Sequence, residues 1–194
     1  MGLVLSLARQ GTQGHYALGC ACQIYLSYAS NQRGALVPSQ IDHSSNDEFY
    51  MRQALYEAEL AAIKGDVPIG AVIVREGRII SWGHNEREIS NDPTGHAELI
   101  AIRRAAEEIN SWRLSGCTLY VTLEPCLMCG GAIINSRIDR VVFGPYDPKA
   151  GALGSLYNVC SDPRLNHEAA ITGGVLEEIS STLLAEFFQS LRTH

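Results

Sequence analysis

From Ser45 onward, short runs rich in β-branched and aromatic residues alternate with stretches of helical period, and few architectures accommodate that alternation. A chain patterned in this way lays its strands side by side and covers both faces of the resulting sheet with helices, an α/β architecture. Ser45 and Glu48 stand in capping-box spacing. Met51, Leu55, Ala58 and Ala62 then recur on one helical face until Gly65 and Pro68 stop the helix. IGAVIVR (69–75) and RIISWGH (78–84) are strand-like runs joined by Glu76-Gly77, which reads as a hairpin turn. Asp92-Pro93 is expected to open a second helix, with Leu99, Ile102, Ala106 and Ile109 on one face. CTLYVTL (117–123) reads as a strand, Pro125 as the first residue of a helix, and DRVVFG (139–144) as a further strand. After a Gly-rich segment, a last helix is expected from about Glu177, with Leu183, Leu184, Phe187, Phe188 and Leu191 as its apolar stripe.

At 194 residues the chain suits one domain with a substantial core. Its net charge of −6 argues against a basic nucleic-acid coat, although a local basic surface is compatible with it. No apolar run approaches the ~18 residues that cross a bilayer, so neither a membrane partner nor a membrane location is expected. Six cysteines are too few for a disulfide scaffold, and their spacing carries more information than their number. Residues 1–45 behave differently from the rest. They mix Gly, Gln and Ser with short apolar runs and hold no sustained period, and they lack the marks of a secretory signal or a transit peptide. They are expected to form a poorly ordered extension, or to reflect a start site assigned too far upstream, with residues 46–194 as the working domain.

Chemistry gathers at two helix starts. His96-Ala97-Glu98 opens one, and Pro125-Cys126-Leu127-Met128-Cys129 opens another. The Cys126/Cys129 spacing puts two sulfurs on one side of a first turn, where the positive end of the helix dipole favours thiolate. Two thiolates and one neutral imidazole make a Cys₂His set, which leaves the fourth tetrahedral position of a zinc ion for water, as in catalytic sites. Zinc lowers the pKa of such a water to about 7. Glu98, two residues beyond His96, can share the pocket without coordinating and move a proton. Alone, the CxxC also fits a redox pair, half of a structural zinc site or two inert thiols, and a lone His-x-Glu recurs by chance. Together, in this order and after strands, they form the H-x-E…P-C-x-x-C signature of zinc deaminases.

On these residues the chain resembles the cytidine deaminase-like superfamily and, within it, the bacterial tRNA-specific adenosine deaminases. The likeness runs from about Asn46 to the C-terminus, through NDPTGHAE (91–98), LEPCLMCGGAIINSRIDRVVFG (123–144), DPKAGALGSLYN (147–158) and the terminal FFQSLR (187–192). It implies a three-layer α/β/α sandwich around a five-stranded mixed sheet, and a zinc-dependent deaminase domain over 46–194. It implies one Zn²⁺ per subunit on His96, Cys126 and Cys129, no organic cofactor, and Glu98 as proton shuttle. By motif position, Asn85 would hydrogen-bond the target base, while Asp147 and Lys149 would lie on a loop that touches flanking anticodon nucleotides. The implied reaction is hydrolysis of adenosine to inosine at the wobble position of a tRNA anticodon stem-loop, by a cytoplasmic homodimer. A deaminase for free guanine or cytosine is the rival with the same chemistry, and a non-catalytic zinc module that binds RNA is the rival without it.

Other residues carry weaker expectations. Glu124 either caps the following helix or lines the site through its backbone. His84 reads as a surface or turn residue, and Arg103 and Arg104 as partners of Glu107 and Glu108 on a solvated face. Phe187 and Phe188 read as core.

Overall fold

The computed structural model describes residues 43–192, with side chains from Asn46. The extension expected over residues 1–45 otherwise lies outside the described residues. The first helix, α1 (His43–Ile63), starts two residues ahead of the expected Ser45 cap. It buries Met51, Ala54, Leu55, Ala58 and Ala61, a stripe of helical period. Gly65, at φ +83°, ends it: the Gly65 N–H donates to the Ala62 carbonyl at 3.0 Å and the Asp66 N–H to that of Ala61 at 3.0 Å.

β1 (Gly70–Arg75) and β2 (Arg78–His84) form the expected hairpin. Both of its turn residues, Glu76 (φ 51°) and Gly77 (φ 73°), take the left-handed conformation that a tight two-residue connection requires. A short helix α2 (Arg87–Ser90) and a turn lead to α3 (Ala97–Glu108). Then come β3 (Cys117–Val121), α4 (Leu127–Ser136), β4 (Arg140–Phe143), a 3₁₀ turn at Val159–Ser161, β5 (Ala170–Thr172) and α5 (Glu177–Arg192). The sheet order is β2-β1-β3-β4-β5. β1 is antiparallel to both of its neighbours, and β3, β4 and β5 are parallel. Four strands therefore run one way and end at one edge of the sheet, with β1 running against them.

Strand periodicity divides the core into two layers. Ala71, Ile73, Leu119, Val121, Val141 and Phe143 face Ala97, Ala101 and Ala105 of α3 and Ile133 and Ile134 of α4. Val72, Val74, Tyr120 and Val142 face Met51 and Ala54 of α1, with Val175 and Leu176 beside them at the entry to α5. The result is the expected sandwich of helices, mixed sheet and helices. A buried polar cluster closes one end: the Tyr120 hydroxyl donates to Asp47 at 2.9 Å, and Arg140 grips the same carboxylate through two bonds at 2.8 and 2.6 Å.

Two glycines let the helices sit this close. A Cβ on Gly70 would meet the Ala54 carbonyl of α1 at 2.1 Å, and one on Gly83 would meet the Ala97 carbonyl of α3 at 2.6 Å. Neither backbone atom can rotate away. Gly83→Ala must therefore push the start of α3 off the sheet, and overpacking of this kind costs about 1–3 kcal/mol. The expected result is a Tm lower by several degrees in a thermal melt; an unchanged Tm would show that the α3 contact is looser than these distances.

Three elements depart from the sequence reading. α3 begins at Ala97 rather than at Asp92-Pro93, because the Asp92 carboxylate accepts the Thr94 N–H (2.8 Å) and hydroxyl (2.7 Å) and folds the chain into a turn. α4 begins at Leu127 rather than at Pro125, since Cys126 is still extended (φ −73°, ψ 174°). β5 was hidden in the Gly-rich segment; it is three residues long and partly exposed, too short for a visible alternation. On α5, Phe188 stays 44% exposed and is not core.

Candidate metal centre

The site lies where β2, β3 and β4 end. Asn85 follows β2, Glu124 to Cys126 follow β3, and Asp147 follows β4, the edge at which α/β sheets bind ligands. His96 immediately precedes α3, Cys126 immediately precedes α4, and Cys129 lies in the first turn of α4, so two positive helix ends converge. His96 Nδ1 is 3.7 Å from Cys126 Sγ and 3.6 Å from Cys129 Sγ. The three donor atoms all lie within 4.8 Å of one another, close enough to hold a metal ion together. For a tetrahedral zinc with ordinary Zn–N and Zn–S bonds, an N···S span of about 3.6 Å is required. The donors present therefore fit zinc in type, number and spacing.

Their electrostatics match. The hydrogen bond from Cys129 draws the Cys126 thiol down to about 3, assisted by His96, and the same bond with burial pushes Cys129 up. The Cys126 sulfur in turn raises His96, against its burial. Glu98 is 4% exposed, and burial pushes its carboxyl above the ordinary range. Its Oε2 is buried with no hydrogen-bond partner. An orphaned carboxylate oxygen beside a donor cluster is the arrangement a proton-transfer group needs.

Asn85 is 2% exposed, and its Oδ1 accepts the Ala97 N–H at 3.0 Å. That bond caps the start of α3 and fixes the amide's orientation, because a backbone N–H can only face the oxygen; Nδ2 points the other way as a donor. His84, expected at the surface, is 6% exposed. The Lys64 ammonium donates to its Nε2 at 2.8 Å, so Nδ1 carries the proton and donates to Glu57 at 2.8 Å. Burial of the strand end, invisible in the local pattern, accounts for the difference. Arg104 donates to the Trp82 carbonyl at 2.9 Å and Arg103 to the Thr94 hydroxyl at 3.4 Å, so both reach across to β2 and the site turn.

Glu124 does not cap α4 with its side chain. It is 3% exposed, and its carboxylate accepts the N–H groups of Asp147 (2.8 Å), Leu153 (2.9 Å) and Ser155 (3.0 Å) and the Ser155 hydroxyl. Burial alone would raise its pKa, but the bonds from Ser155, Asp147 and Leu153 outweigh burial and hold it below the ordinary range. The loop over 147–155 thus wraps an anion set two residues before Cys126. A signal was available in the sequence: an acidic residue against a Pro-Cys helix start, with a loop rich in Gly and Ser to meet it. The structure brings His96, Cys126, Cys129, Glu98 and Asn85 together; Asp147 joins them through Glu124, and Lys149 stands exposed on the loop.

Comparison with known proteins agrees with this geometry. Residues 45–192 match the family described as MafB19-like deaminase. A tRNA-specific adenosine deaminase of Bacillus subtilis is 49% identical over 148 residues, which cover 76% of this chain and 92% of that protein. One from Aquifex aeolicus is 48% identical over 147 residues, covering 76% and 97%. A solved structure from work on A-to-I editing by tRNA:A34 deaminases at the wobble position of transfer RNA superposes with a TM-score of 0.68. It is 43% identical and covers 70% of this chain and 99% of that one. A pocket with these donors, on this fold, in a chain this similar, identifies a deaminase that belongs to the family of tRNA-specific adenosine deaminases.

Proposed function

We propose that this chain hydrolyses adenosine to inosine at the wobble position of a tRNA anticodon, with zinc held by His96, Cys126 and Cys129. The observation that carries the proposal is the spacing of His96 Nδ1 from the two sulfurs, 3.7 and 3.6 Å, with the unpartnered Glu98 carboxylate oxygen in the same pocket. The ion would supply a water nucleophile activated at neutral pH. Glu98 takes one proton from the water that adds to C6 and delivers it to the ring nitrogen; it then carries the proton of the new C6 hydroxyl to the amine, which leaves as ammonia as the C6 carbonyl forms. Its burial, which favours the protonated form, suits a group that must hold a proton between these transfers.

Asn85 reads the base edge. Its Oδ1 is committed to Ala97, so Nδ2 is the group that addresses an acceptor on the purine. Asp147 and Lys149 meet the nucleotides flanking the target. A loop base is already unstacked, so drawing it into the pocket costs less than extrusion from a duplex. The working unit is a homodimer, and a tRNA substrate sets its place in the cytoplasm. Among the described residues, no helix is long and apolar enough to cross a membrane.

The test offers purified protein an anticodon stem-loop with adenosine at the wobble position, and separately free guanine and cytosine. Inosine in the RNA is expected. Ammonia from a free base alone would replace this reading with free-base deamination, and bound zinc without turnover of any substrate would replace it with an RNA-binding module.

A further inference from the structure

The geometry points to Glu124 as a positioning residue that sets the affinity for RNA by holding the loop over 147–155 against the Cys126 turn. Four hydrogen bonds converge on its two oxygens, all from one loop: Leu153 N and Ser155 N on Oε1, Asp147 N and the Ser155 hydroxyl on Oε2. The loop closes so tightly over the carboxylate that a Cβ on Gly151 would lie 2.2 Å from Oε2. On its inner side the loop is stitched to the metal-ligand turn, with Ala152 N donating to the Pro125 carbonyl at 2.9 Å and Gly151 bridged to Cys126. On its outer side Pro148, Lys149 and Ala150 are exposed, while Lys149 N is tied to Asp147 Oδ1 at 2.9 Å. A single buried anion therefore fixes the distance between the donor cluster and the outward residues of the loop.

The position of Glu124 separates two jobs. Among the described residues neither His96, just ahead of α3, nor Glu98 within it is hydrogen-bonded to the loop; Cys126 and α4 meet only its inner side, through the bridge to Gly151 and the packing of Ala152 and Leu153 against Gly130. The outer side of the loop presents surface to whatever approaches the pocket. This inference rests on the proposed action on RNA, and it locates the effect of Glu124 in KM rather than in the chemical step.

The side chain needs both oxygens to be acceptors. In Glu124→Gln the amide nitrogen must face a backbone donor whichever way it turns, Leu153 N and Ser155 N in one orientation and Asp147 N in the other, where only the Ser155 hydroxyl can turn to accept. Glu124→Asp keeps both acceptors on a shorter stem, and Ser155→Ala removes one donor from outside the carboxylate. With the anticodon stem-loop as substrate, Glu124→Gln is expected to bind metal stoichiometrically, to raise KM about tenfold or more, and to leave kcat within about threefold, since a loosened positioning loop costs productive binding. Glu124→Asp and Ser155→Ala should fall between it and the unaltered protein. Amide exchange at Leu153 and Ser155 should quicken in the same order. KM within about twofold in Glu124→Gln, or a fall in kcat that tracks metal loss, would overturn the inference. If Glu124→Gln does not fold, the same two readings on Ser155→Ala decide. Should the unaltered protein turn over no RNA, the proposed function fails, while amide exchange still decides whether Glu124 holds the loop: faster exchange supports it and unchanged protection overturns it.

Discussion

Glu98→Gln is expected to keep its metal and lose nearly all turnover. The substitution preserves shape and one acceptor in a position that is 4% exposed, so the packing around α3 need not change. It removes the capacity to take and return a proton, which contributes about 10²–10⁴-fold in enzymes that depend on it. Metal analysis beside single-turnover deamination of the stem-loop measures both quantities. Near-normal turnover in the presence of full metal would remove Glu98 from the proton path. Loss of metal instead would make it a structural support of the donor cluster.

The second large effect is expected from Cys129→Ala. Its sulfur is fully buried and lies 3.6 Å from His96 Nδ1, and no other Cys or His joins this donor group among the described residues. Substitution of groups that merely orient metal ligands costs about 10–100-fold in affinity, and removal of one donor from a set of three should exceed that. Purified Cys129→Ala should therefore hold little zinc and show no deamination. Chelator-treated protein of natural sequence should be equally inactive, and added zinc should restore that protein alone. Full turnover in Cys129→Ala with stoichiometric metal would show that the imidazole and Cys126 suffice.

Much of this was legible in the chain because the features concerned are local. The turn at Glu76-Gly77 declares itself through a glycine where positive φ is needed, and the donor set through the spacing of Cys126 and Cys129. What escaped depends on partners far away in sequence. His84 reads as a turn residue until Lys64 and Glu57 close around it. Glu124 reads as a cap until residues more than twenty positions on fold back to meet its carboxylate. The start of α3 departs from the local pattern for the opposite reason: Asp92 and Pro93 carry a strong local signal, but the Asp92 side chain binds Thr94 rather than capping a helix. Residue types announce the chemistry of a site; the scaffold that aims it is written in contacts across the sheet.

His96 and Cys126 are 30 positions apart, with all of β3 between them. An ion gripped by both is thus a cross-link that closes a long stretch of chain, and its ligands meet only when the sheet has assembled. Metal bound there would tie two helix starts together and add to the stability of the assembled sheet, so a thermal melt taken with zinc should end higher than one taken with chelator.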